Sequence, residues 1–116
     1  MSLVPGGYYK SQLMQSAAGA TGNGTAIECI DSSSGAFTML GMQITGISGD
    51  TITFEATIDG TNWVAVRVEN MADGSQATTA TADGLYRVVC ATWGKVRARV
   101  STYDAGTIYV TGSLVA

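Results

Sequence analysis

The chain has 116 residues, the length of one domain, and Gly, Thr and Ser fill 40 of its positions. Only 13% of residues are charged, there is one proline and no histidine, and 46% are hydrophobic with a net charge of −3. That composition excludes a coiled coil or helical bundle and a disordered tail, and without imidazole it excludes Ser-His-Asp and Cys-His catalysis and histidine metal sites.

Residues 1–10 hold Pro5, the Gly6-Gly7 pair, Tyr8, Tyr9 and Lys10, and they read as an extended arm ahead of a domain spanning 11–116. This start has no charged-then-apolar signal pattern, and no apolar run approaches the ~20 residues that cross a bilayer, so no membrane partner is expected. A short strand is predicted over Ser11–Ser16, although Gln12–Ala18 also suits a turn or two of helix. Strands follow at Thr25–Ile30 and Phe37–Ile44. The clearest is Thr51–Ile58, with Ile52, Phe54, Ala56 and Ile58 on one face and Thr51, Thr53, Glu55 and Thr57 on the other.

Asp59-Gly60 is a strong hairpin signal, in which both turn residues can take positive φ. The chain then returns as Trp63–Val68, with Val64, Val66 and Val68 on one face. Gly84–Cys90 sets Tyr86, Val88 and Cys90 against Leu85, Arg87 and Val89. Lys95–Val100 sets Val96, Ala98 and Val100 against Lys95, Arg97 and Arg99. Thr107–Thr111, after the Asp104–Gly106 turn, points Ile108 and Val110 inward. Gly- and Ser-rich punctuation separates these runs, at 19–24, 31–35, 46–50, 71–76 and 92–94. Seven or eight short strands so spaced predict an all-β, single antiparallel sandwich, Ig-like or jelly-roll-like.

Five of the six basic residues lie between 67 and 99. Lys95, Arg97 and Arg99 put three positive charges on one strand face, about 6.5–7 Å apart. The patch grows if Arg87 or Arg67 lies on an adjacent strand. Alternatively these charges are solvated or paired with Glu55, Glu69 and Asp83. An acidic total does not suit a general nucleic-acid binder. Trp63, just after the hairpin, reads as a core plug or local anchor, whereas Trp93 in the short Ala91–Gly94 loop is the better exposed contact.

Asp59, Asn62, Asp73, Asp83 and Asp104 fall at turns, where such residues are ordinary, and no calcium-loop spacing is present. Neither a cofactor nor a metal is expected. Met39, Met42 and Met71 suit core filling. Cys29 and Cys90, sixty-one positions apart, are either two buried thiols or a single bridge between neighbouring strands.

The run Asp50–Val66, with Phe54-Glu-Ala-Thr-Ile-Asp-Gly-Thr-Asn-Trp63 at its centre, is followed by Thr81–Val88 and Lys95–Val100. In that order these segments resemble small virion proteins of tailed bacteriophages, over roughly residues 25–115. The resemblance implies a non-enzymatic structural role in the virion, after synthesis in the host cytoplasm. It carries over no binding residue, and the arm lies outside it. The expected function is capsid decoration (cement), with the protein a homo-oligomer bound to the major capsid protein. Tyr8, Tyr9, Lys10, Arg87, Trp93, Lys95, Arg97 and Arg99 are the expected interface. A tail or baseplate component and a carbohydrate-binding adhesin are the alternatives.

Overall fold

The computed structural model describes residues 9–31 and 35–116. Its elements are all strands: β1 (Tyr9–Ala18), β2 (Ile27–Glu28), β3 (Ile30–Asp31), β4 (Gly35–Ala36), β5 (Met39–Thr45), β6 (Thr51–Thr57) and β7 (Val64–Ala65), then β8 (Val68–Asn70), β9 (Gln76–Ala77), β10 (Thr79–Ala80), β11 (Gly84–Val89), β12 (Lys95–Thr102) and β13 (Ile108–Val115). A six-stranded sheet runs β1-β13-β5-β11-β8-β9. A five-stranded sheet runs β10-β6-β12-β2, with β7 also on β6, and β3–β4 form a separate ribbon. Every pairing is antiparallel. The all-β sandwich expected from the period-two pattern is the fold.

The two inner faces make one core. The six-stranded sheet contributes Met14, Leu40, Met42, Ile44, Val68, Tyr86, Val88, Ile108, Val110 and Leu114. The other sheet contributes Ile27, Ile52, Phe54, Ala56, Ala80, Val96, Ala98 and Val100. The alternation read in β6, β11, β12 and β13 sets these faces, because successive residues of a strand point to opposite sides. Phe54 and Tyr86 meet across the core at 5.7 Å between ring centroids. The Tyr86 hydroxyl escapes burial by donating to the Ala82 carbonyl at 2.7 Å.

Gln12–Ala18 is strand, not helix. Two register shifts, between Leu13 and Gln15 and between Gln15 and Ala18, interrupt β1 against β13 and turn both Met14 and Gln15 inward. Such bulges erase the alternation that would have marked the strand. Gln15 is satisfied there, donating to the carbonyls of Ala98 at 2.8 Å and Gly22 at 3.2 Å. The segment 19–26 thus straps β1 to β12, with Gly22 bridging Val100 and the Thr25 N–H donating to the Met14 carbonyl. Gly24 lies in that strap at φ +66°, where a Cβ would collide with the Met14 carbonyl.

The opposite edge is closed by a zigzag. Trp63–Val68 is not one strand: β7 pairs with β6, then the chain crosses after Val66 so that β8 joins β11 in the other sheet. It crosses back after Ala77 so that β10 pairs with β6. Phe54 anchors both crossings, its N–H donating to Thr78 and its carbonyl accepting from Val66, each at 2.9 Å. The hairpin signal at Asp59-Gly60 resolves as a wider loop over residues 58–63 in which only Gly60 has positive φ. Asp59 caps it, its Oδ1 accepting the N–H groups of Thr61 and Asn62 at 2.8 Å each.

Candidate interaction surface

The expected arm, residues 1–10, falls mostly outside the described residues, and with it Tyr8. Tyr9 and Lys10 open β1, opposite Val115 and Leu114. The Lys10 ammonium lies 5.9 Å from the centre of the Phe37 ring.

Lys95, Arg97 and Arg99 do share the outer face of β12, but the neighbours of that strand are β6 and β2. Arg87 stands on β11 in the other sheet and pairs with Glu69 at 3.1 Å, and Arg67 donates to Gln76 at 2.8 Å. The patch therefore does not extend to either. Within it, Glu55 lies directly across from Arg97. It accepts from Arg97 at 2.8 Å and from Arg99 at 3.2 Å, with its own side chain 12% exposed. Burial pushes the Glu55 carboxyl up, but the two guanidinium groups outweigh it and hold the acid below its usual range. Trp63 stacks on the outer side of this pair, its ring 4.1 Å from the Arg97 guanidinium carbon. Trp63 is a local anchor on the sheet surface, not a core plug.

The six-stranded sheet also exposes apolar side chains. Leu13 and Leu85 end one cross-strand row with Thr111 and Gln43 between them, while Val115, Met39 and Val89 form another. Arg87, Gly41 and Ser113 separate the two rows.

A different arrangement occurs where β6 ends. Just past its last residue, Thr57, the loop carries Ile58, and Val64 on β7 lies across from inward-facing Ala56. Ile58 is nevertheless 74% exposed and Val64 64% exposed. The interior face of the five-stranded sheet emerges here uncovered, as a depression of about 490 Å³ lined by Ala56, Ile58, Val64, Val66 and Trp93. Asp59 and Asn62 stand on its rim, joined by a 2.7 Å bond from the Asn62 amide. Hydrogen bonds from the Asn62 and Thr61 N–H groups, the Asn62 amide and the Thr57 hydroxyl hold the Asp59 carboxyl far below its ordinary value.

Trp93 is presented by a turn in which its N–H donates to the Cys90 carbonyl at 3.0 Å and Thr92 sits at φ 75°. A β-branched residue in the left-handed region is strained, so the surrounding contacts fix this loop against a local preference. Gly94 holds the loop to the end of β6 through its N–H bond to Thr57 at 2.9 Å. A Cβ at Gly94 would press on the Thr57 and Ile58 carbonyls at 3.2 and 3.1 Å.

Trp93, expected from the sequence to be an exposed contact, lines this depression but is half-buried and packs against the core, and Ile58, Val64 and Val66 were not singled out. The alternation assigned their faces; nothing local marks where the covering sheet stops. Among the described residues no group of three or more Cys, Asp or Glu side chains is placed to hold a metal ion, and no helix is long and apolar enough to cross a membrane.

No protein-family model matches the chain, and no curated protein sequence does. Solved structures do match. SPBc2 prophage-derived protein YomS aligns over 100% of both chains with a TM-score of 0.84 at 20% identity. PBSX exported protein XepA aligns with 97% of this chain at a TM-score of 0.87 and 14% identity, and the chain spans 39% of its length. The fold of the whole YomS chain, and of one part of XepA, is the fold of this protein.

Proposed function

We propose that this protein is a non-enzymatic structural component of a bacteriophage virion, a decoration protein that binds the major capsid protein as a homo-oligomer. The uncovered interior face at Ile58 and Val64, with half-buried Trp93 beside them, carries the reading, because apolar residues that stay exposed in a folded monomer are the anchors that an interface buries. Two further observations support it: the likeness of the Asp50–Val100 segments to small virion proteins, and a fold shared with two proteins named for prophages. The row of Lys95, Arg97 and Arg99, whose two arginines share Glu55, lies on the outer face of the same sheet, where it orients docking through charge and adds little affinity.

Fractionation of purified virions into heads and tails tests the placement, with the protein expected in DNA-filled heads. Its recovery only in tails would replace decoration by the tail or baseplate reading. Ile58→Asp and Val64→Asp are expected to abolish binding to heads while leaving the circular dichroism spectrum unchanged. Undiminished binding by both variants would remove the depression from the interface.

A second reading, a carbohydrate-binding adhesin, draws on Trp93, Asn62 and Asp59 around one concave site, an aromatic surface with polar groups at its rim. It requires retention on a polysaccharide column that Trp93→Ala abolishes.

A further inference from the structure

Cys29 and Cys90 belong to different parts of the sandwich, the first between β2 and β3 and the second at the end of β11. Both are completely buried and unbridged. The same short segment holds them together. The Phe37 N–H donates to the Cys29 carbonyl at 2.9 Å, the Cys90 N–H donates to the Thr38 carbonyl at 2.9 Å, and the Cys90 thiol lies 3.9 Å from the Phe37 carbonyl oxygen. The two thiols are near enough to shift each other's ionisation. The Trp93 turn hangs between them: it starts at Cys90, and its last residue, Gly94, accepts the Cys29 N–H at 2.8 Å.

We propose that Cys29 and Cys90 are a disulfide site, closed by exchange with a low-molecular-weight disulfide in an oxidising medium, and that the bond braces the Trp93 turn across the end of the sandwich. Two buried cysteines tied to the same two residues, Phe37 and Thr38, and to the two ends of one five-residue turn need little backbone movement to bond. The neighbouring thiol and burial push Cys29 up. Exchange opens at either sulfur, here Cys90. Its thiolate attacks one sulfur of the reagent disulfide RSSR, whose S–S bond breaks and releases RS⁻, leaving a Cys90–SR mixed disulfide. Cys29, deprotonated, then attacks the Cys90 sulfur and expels the second RS⁻. The two cysteine protons end on two RSH molecules, each protein sulfur gives up one electron, and RSSR takes up both. Because neither sulfur touches solvent, exchange proceeds during folding or when this end of the sandwich opens, and the folded, reduced protein oxidises slowly.

The experiment refolds the full chain in oxidised glutathione and, separately, in reduced glutathione, followed by acid quenching, alkylation in denaturant and intact-mass measurement. The oxidised sample is expected to lose two hydrogens and take up no alkylating reagent, with peptide mapping linking Cys29 to Cys90 within one chain. Two alkylatable thiols after oxidation would overturn the proposal, as would glutathione adducts or cross-linked dimers in place of the internal link. The bond closes a loop of some sixty residues, so the oxidised protein is expected to melt roughly 10 °C or more above the reduced one. An equal or lower melting temperature would mean that the site is not poised for closure. Amide exchange at Trp93 and Gly94 is expected to slow on oxidation, and an unchanged rate would remove the bracing role. Reduced wild type serves as the reference, and the Cys29→Ser/Cys90→Ser double variant should show no dependence of melting on glutathione.

Discussion

Phe54 and Ile58 stand four residues apart in one apolar alternation of the sequence, the first inside β6 and the second just beyond its end at Thr57. Phe54 is fully buried, and Ile58 is 74% exposed. Around Phe54 the second sheet closes over the strand through Tyr86, and both edge crossings are anchored on the Phe54 backbone. Around Ile58 no such cover exists, and the strained turn at Thr92 brings only Trp93 alongside. The aspartates that flank the strand repeat this contrast. Asp50, before β6, is buried and gathers the N–H groups of Asp104, Ser48 and Gly106. Asp59, beyond β6, is exposed and gathers the N–H groups of its own loop. One sequence pattern is thus buried at one end and exposed at the other, where the strand ends and the second sheet does not reach.

The sharpest way to break this comparison is truncation at its two poles. Phe54→Ala removes a filled core position and is expected to cost about 3–5 kcal/mol in urea unfolding. A loss as small as that of a surface substitution would mean that the covered end is loosely packed.

Acid follows in size. Burial pushes the Asp50 carboxyl up, but the N–H groups of Asp104, Ser48, Gly106 and Ala105 outweigh it and hold it below its ordinary value of 3.8. Glu55 and Asp59 are also lowered. A depressed folded-state value means that the stabilisation is complete above the unfolded values of 3.8 to 4.5 and is lost as pH falls below them. Thermal melting should therefore hold steady at neutral pH and decline below about pH 4. Asp50→Asn should lower the neutral-pH plateau more than Asp59→Asn, because only Asp50 ties together separate parts of the chain. The reverse order would refute that assignment.

Smaller effects test the flanks. Glu55→Ala leaves Arg97 and Arg99 without their shared carboxylate, and it is expected to cost about 1 kcal/mol and to weaken the salt dependence of stability. Thr92→Gly relieves the left-handed strain and is expected to stabilise by up to about 1 kcal/mol, the added freedom of the unfolded chain offsetting part of the gain. Ile58→Ala should change stability by no more than about 0.5 kcal/mol. A larger loss would place Ile58 in the core after all.

Much of this was legible in the residues. The inward sets of β6, β11, β12 and β13 follow from strict alternation, and the outward threonines, arginines and lysine are what remains. The β1 strand was blurred because its bulges put Met14 and Gln15 on the same side. The strands β8, β9 and β10, two or three residues each, were invisible because such short runs carry no period, and the chain between Val66 and Thr79 changes sheets twice. The basic row was legible as a row, but the pairing of Arg97 and Arg99 with Glu55 depends on a cross-strand register that the turns and crossings set.

The sequence by itself determined which side of each long strand is apolar, since the backbone pleat makes that a local property with a period of two. It also determined the all-β class and the absence of imidazole chemistry. Only the tertiary structure decided how far the covering sheet reaches, that Glu55 serves two arginines, and that Cys29 meets Cys90. These are contacts between residues distant along the chain, and no local periodicity encodes them. Ile58 carries the same signal as Phe54, and its exposure is a fact about what lies opposite.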